Sequence, residues 1–119
     1  MKLLSRWFRR EPNKPSWIDP VALAARIEGD AAFLVLDVRG PDEFTGPLGH
    51  IRQATNIPLT ELPAHLPVLV RENRPVVVVC KTDRRSSTAA QQLQEAGLPK
   101  VSVLRGGIER WRVLGLPAN

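Results

Sequence analysis

Apolar residues recur along this chain with two periods. Val21, Leu23, Ala24 and Ile27 fall at helical spacing. Asp19 is placed to cap that helix, Pro20 suits its first turn and Gly29 its end. Ala32–Val38 reads as a buried strand. Val76–Cys80 is apolar on both faces, as a strand inside a parallel sheet must be. A helix is predicted from Ser86 or Ser87 through Ala89, Ala90, Leu93 and Ala96, stopping at Gly97. Val101–Leu104 is another buried strand, and Gly106-Gly107 turns into a helix over Ile108–Leu114 with Trp111 on its apolar face. Residues 39–50 predict a loop with a helical turn near Asp42–Phe44, and Ala54–Ile57 a short extended piece. Thr60 is placed to cap a short helix over 61–66, limited by Pro63 and Pro67. Strands alternating with helices predict an α/β three-layer sandwich: a mostly parallel central sheet with helices on both faces.

The length of 119 residues suits one domain. The boundary falls near residue 17, leaving residues 1–16 as a tail and linker and 17–119 as the domain. Within 1–14, Lys2, Arg6, Arg9, Arg10 and Lys14 stand against Glu11 alone, so the tail holds most of the chain's net charge of +5. The domain is close to neutral, which argues against nucleic-acid binding inferred from the overall charge. Placed on a helix, Leu3, Leu4, Trp7 and Phe8 share one arc and the cations fill the other, before Pro12 and Pro15 break the pattern. Such a segment either frays or docks on a protein surface, or lies on an anionic membrane. No apolar run approaches the ~20 residues of a membrane span. The early charges fit a secretory signal poorly. One cysteine, Cys80, rules out an internal disulfide and a cysteine-based zinc site, and the cytoplasm is the expected compartment. A monomer is the expected state.

The candidate chemistry sits at Cys80. It ends the strongest strand, the loop Lys81-Thr82-Asp83-Arg84-Arg85 follows, and then a helix begins. Ligand sites of open α/β sheets lie beyond the carboxyl ends of strands. Such a loop can turn successive N–H groups inward, and the helix start adds partial positive charge. Lys81, Arg84 and Arg85 add full charges. Each of these favours a thiolate, the form that acts as a nucleophile. The plain alternative is a small buried hydrophobe, the usual lot of a free cysteine.

Four segments, in order, resemble the single-domain rhodaneses, a sulfurtransferase family. They are Asp37-Val38-Arg39 with Asp42-Glu43-Phe44; Gly49-His50-Ile51 with Ala54-Thr55-Asn56-Ile57-Pro58; Cys80 through Ser86; and Gly106-Gly107, Trp111 and Gly115-Leu116-Pro117. The resemblance spans residues 17–118. It implies that Cys80 takes a sulfane sulfur from thiosulfate or a persulfide donor and passes it to cyanide or a thiol acceptor. The loop amides from Lys81 to Ser86 would cradle the outer sulfur, and Arg85 would hold the loop and favour a small anionic donor. No metal or organic cofactor is implied. With no second cysteine, discharge must come from an outside molecule. Related phosphatases have five residues between Cys and Arg; here four separate Cys80 from Arg85, which favours sulfur over phosphate.

Asp83 departs from the family pattern, which often has glycine there. Glycine would allow a positive φ, which Asp tolerates better than most residues. Its carboxylate is expected to point outward, free to pair with a neighbouring arginine, and to weaken thiosulfate use. Asp37 is expected to accept loop N–H bonds, and Arg39 to pair with Asp42 or Glu43 or to face the site mouth. His50 is expected to pack or hydrogen-bond, His65 to be exposed, Trp111 to lie in the core and Trp17 to pack where the domain begins. The second reading is a low-activity sulfur carrier, or a module that docks on a protein or membrane through its tail.

Overall fold

The computed structural model describes residues 14–29 and 32–119; the amphipathic reading of residues 1–13 lies outside them. The elements in order are β1 (Ser16–Ile18), α1 (Pro20–Glu28), β2 (Leu34–Asp37), α2 (Pro41–Phe44) and β3 (Thr55–Asn56). A 3-10 turn (Leu59–Glu61) then leads to α3 (Leu62–Glu72), β4 (Val76–Val79), α4 (Arg84–Glu95), β5 (Val101–Leu104) and α5 (Gly107–Val113). The five strands form one sheet in the order β1-β5-β4-β2-β3. Every pairing is parallel, with Leu36 opposite Val78 and Val78 opposite Val103.

Alternation along the strands builds two cores. Leu34, Leu36, Val76, Val78, Val101 and Val103 meet α3 and α4 on one face, through Leu62, Leu69, Ala89, Ala90 and Leu93. Val35, Val77, Val79 and Leu104 meet α1 and α5 on the other, through Leu23, Ile108 and Trp111. The sheet is thus covered on both sides, which explains why β2 and β4 are apolar at nearly every position. Because all strands run the same way, their carboxyl ends share one edge, and Arg39, Asn56, Cys80 and Gly106 gather there.

Several local expectations need correction. α3 runs through Pro67 to Glu72 rather than stopping at 66. Pro67 lacks one N–H, but its helix buries Leu62 and Leu69 and packs Leu66 and Val70 on the core, which offsets the lost bond. α4 begins at Arg84, ahead of either serine. Asp19 holds the cap position of α1 without capping it, because its carboxylate accepts from Arg105 Nε at 2.9 Å. Ser16–Ile18 is an edge strand that three residues of sequence could not announce. Trp17, on that edge, stays exposed and carries the Arg105 guanidinium over its ring. His65 is half-buried on α3 rather than exposed.

Candidate active site

Cys80 follows β4 directly and continues its alternation, so its side chain joins Val76 and Val78 on the α3/α4 face. It is 1% exposed. On α4 the buried stripe is Ser86, Ala89, Ala90 and Leu93, one helical face. That stripe sets Ser86 over the sulfur. The Ser86 N–H belongs to the first turn, where no intrahelical acceptor exists, and it donates to Cys80 Sγ at 3.3 Å. Ser86 Oγ lies 3.3 Å from the same sulfur. The thiol is packed in the core, as the plain reading has it, and it also faces a helix start.

The loop between them is shaped by α5. Ile108 N–H donates to the Cys80 carbonyl at 2.9 Å and Glu109 N–H to the Lys81 carbonyl at 3.1 Å. Gly107 has a φ of +61°, and a Cβ there would collide with the carbonyl oxygens of Thr82, Cys80 and Lys81, the last two at 2.5 Å. Three successive carbonyls thus converge on Gly107. In a trans peptide the following N–H points the opposite way, so the N–H groups of Lys81, Thr82 and Asp83 turn away from α5. No N–H from Lys81 to Arg85 has an acceptor among the described residues. They form a concave run of free donors suited to an anion or a polarisable sulfur.

Arg85 and Glu43 wall the loop. Arg85 Nη1 and Nη2 donate to Glu43 Oε1 and Oε2 at 2.7 and 3.0 Å. Glu43 Oε1 also accepts from the Gly40 N–H at the start of α2. The Arg85 bond, with help from Gly40 and the Arg39 charge, outweighs partial burial and holds the Glu43 carboxyl at about 2. The same bond raises Arg85 above its ordinary value. Arg39 pairs with neither acidic side chain of α2, contrary to expectation. It is buried against Asp37, with Nε and Nη2 at 2.8–3.2 Å from the carboxylate oxygens. Its remaining donors reach the carbonyls of Glu43 and Gly49 at 3.1 and 2.7 Å. It therefore ties β2, α2 and the following loop together from inside.

The other expected residues fall as follows. Lys81, Thr82 and Arg84 are exposed; Asp83 and Arg85 are half-buried; Ser86 is buried. Lys81 Nζ lies 3.9 Å from Glu109. Asp83 takes a φ of −148°, so the loop needs no left-handed residue at that position. Its carboxylate pairs with no arginine among the described residues, and Arg85 is held by Glu43. Asp37 does accept a loop N–H, that of Arg39, at 3.0 Å. His50 is structural: its ring stacks on Phe44 at 3.7 Å and Nδ1 bonds the Phe44 carbonyl at 2.8 Å. Trp111 is buried and donates to the Pro117 carbonyl. Glu43 and Gly107 are the two site residues whose roles residue order concealed. A Gly-Gly pair at a strand end and an acid in a short turn were visible, but not what they touch.

Comparison with known proteins places this geometry. The sequence profile of the Rhodanese-like domain matches residues 19–113. An uncharacterised protein of Synechocystis is 41% identical over 101 residues, covering 84% of this chain and 54% of that relative, so the chain spans little more than half its length. A protein of Allochromatium vinosum named sulfurtransferase is 33% identical over 100 residues, covering 84% of this chain and 91% of that one. Among solved structures, a rhodanese-related protein from Thermoplasma volcanium superposes with a TM-score of 0.76 at 33% identity, over 87% of this chain and 97% of that one.

Proposed function

Since the chain belongs to the rhodanese-like domain family, with relatives named sulfurtransferases, we propose that it is a sulfurtransferase whose Cys80 carries the sulfur in transit. The observation that supports this most is the placement of Sγ. It lies 3.3 Å from the Ser86 N–H, beneath a loop of free N–H donors. In the forward step the Cys80 thiolate attacks the outer sulfur of the donor. The S–S bond to Cys80 forms as the donor's own bond to that sulfur breaks, and the remainder leaves with the electron pair. From thiosulfate the leaving group is sulfite; from a persulfide it is the parent thiolate. The persulfide on Cys80 then meets an outside nucleophile, since the chain has no second cysteine. The N–H groups of residues 81–86 stabilise the sulfur that bears charge in both steps. Four residues between Cys80 and Arg85 suit sulfur rather than the larger phosphate.

The test is intact mass after exposure to a donor, for wild type and Cys80→Ser, before and after cyanide. A gain of one sulfur, removed by cyanide and absent from the variant, is expected. Failure with both thiosulfate and a persulfide would remove the enzyme reading. The basic segment 1–14 belongs to this proposal as a membrane or partner contact, in a protein expected in the cytoplasm. Among the described residues no helix is long and apolar enough to cross a membrane. Co-sedimentation with phosphatidylserine vesicles should weaken when residues 1–14 are removed, and weaken with salt in the full chain; equal sedimentation of both would exclude membrane contact by this segment.

A further inference from the structure

The loop that carries Cys80 looks basic in sequence, with Lys81, Arg84 and Arg85 in one run of five residues. The fold brings carboxylates to it from two other places. Glu43, from α2, takes both terminal nitrogens of Arg85. Glu109, from α5, stands 3.9 Å from Lys81. Asp83 lies within the loop itself, next to Arg84. Two of the three loop cations therefore face carboxylates from elsewhere in the fold, and Asp83 brings the loop a third negative charge of its own. Arg85 matters most among the cations. It stands one residue before Ser86, whose N–H touches Sγ.

We propose that Glu43 is a specificity-determining residue that selects donors by charge. By fastening Arg85 it leaves the loop mouth without net positive charge, so a dianionic donor is disfavoured and a persulfide of neutral or single negative charge is preferred. This rests on the sulfurtransferase reading above. With thiosulfate, the dianion meets a thiolate, and three negative charges must converge before sulfite departs. With a persulfide R–S–SH, the Cys80 thiolate takes the terminal SH, the donor's S–S bond breaks and R–S⁻ leaves with the electron pair, so one negative charge passes through the site. A free arginine would relieve the first encounter far more than the second. A guanidinium already bound to a carboxylate offers little more than a dipole. The backbone N–H run serves either donor, so it does not choose between them.

Glu43→Gln tests this directly, since glutamine keeps an acceptor for Gly40 while releasing the charge. The thiosulfate KM should fall about five-fold, the scale of one exposed charge pair. The KM for the persulfide of 2-mercaptoethanol should stay within about two-fold, as expected for a singly charged ligand. Adding Arg85→Gln should abolish the gain. Glu109→Gln, which releases Lys81, should act in the same direction and less. A thiosulfate KM that is unchanged or higher in a folded Glu43→Gln protein overturns the proposal and makes Glu43 a purely structural residue. A second readout needs no sulfur transfer: the ratio of Cys80 alkylation rates by iodoacetate and iodoacetamide reads the local charge. It should rise in Glu43→Gln, and an unchanged ratio overturns the charge argument. If neither donor loads wild-type Cys80 while the ratio still shifts, the sulfurtransferase reading fails and the donor selection falls with it, but the electrostatic role of Glu43 stands.

Discussion

Arg39–Asp37 and Arg85–Glu43 are both arginine–carboxylate pairs with several hydrogen bonds, and both lie at the carboxyl edge of the sheet. The side chains of the first are 1% exposed on each side, and those of the second 37% and 40%. The buried pair has no water to fall back on, so each side-chain nitrogen of Arg39 donates to the protein, and removing one partner strands the other. The half-exposed pair is screened and contributes little to stability, yet Arg85 adjoins Ser86, whose N–H donates to the sulfur. Equivalent chemistry thus does two jobs, and burial decides which. The inner pair fixes the platform; the outer pair is the one proposed to set the charge at the loop mouth.

The largest break in that comparison comes from the inner pair. Arg39→Met should destabilise by about 3–5 kcal/mol, the cost of leaving a buried carboxylate unpaired. Urea denaturation would show it, and a loss below ~1 kcal/mol, the range of exposed pairs, would mean the two pairs do not differ as argued. Next is the platform beneath the loop. Gly107→Ala combines a positive φ with a clash against three carbonyls. A cost of about 2–4 kcal/mol is expected, from strain of ~1–3 together with steric overlap, accompanied by slower Cys80 persulfide formation than in wild type. A variant with wild-type stability and loading rate would mean the carbonyl ring does not shape the loop.

Removing the outer pair should cost much less. Arg85→Gln should shift stability by no more than ~1 kcal/mol at neutral pH, in keeping with its solvent exposure. The smallest effect is in the acid limb. The Glu43 carboxyl is lowered from 4.5 to about 2. Its contribution is therefore complete above its ordinary value and is lost as pH falls toward about 2. Being well exposed, it should amount to less than ~1 kcal/mol. The stability difference between wild type and Glu43→Gln should shrink across that window; a difference that persists at its lower end would assign the effect to packing rather than charge.

Much of this protein is written in short-range pattern. The apolar runs at Val76–Val79 and Val101–Leu104, the helical spacing over Pro20–Glu28 and the strand–loop–helix order around Cys80 each announce their structure. The reason is physical: strand burial and helix faces impose periods of two and 3.6 that composition must obey. The alternation of elements carries the architecture for the same reason. Where local rules misled, a long-range contact had outweighed them. Pro67 stays helical because α3 has a core to cover, and Asp19 forgoes capping because Arg105 lies across from it.

The character of the site was decided in three dimensions. Residue order shows Cys80, a basic loop and a helix start, which mark a candidate nucleophile, and the ordered motifs supply the family resemblance. It does not show that Glu43, 42 residues before Arg85, would neutralise it, or that Gly107 would receive the loop's carbonyls. Those contacts exist because β2, β4 and β5 lie side by side and in parallel, so their following segments meet at one edge. Electrostatics depends on distance through space, and only the folded chain sets that distance.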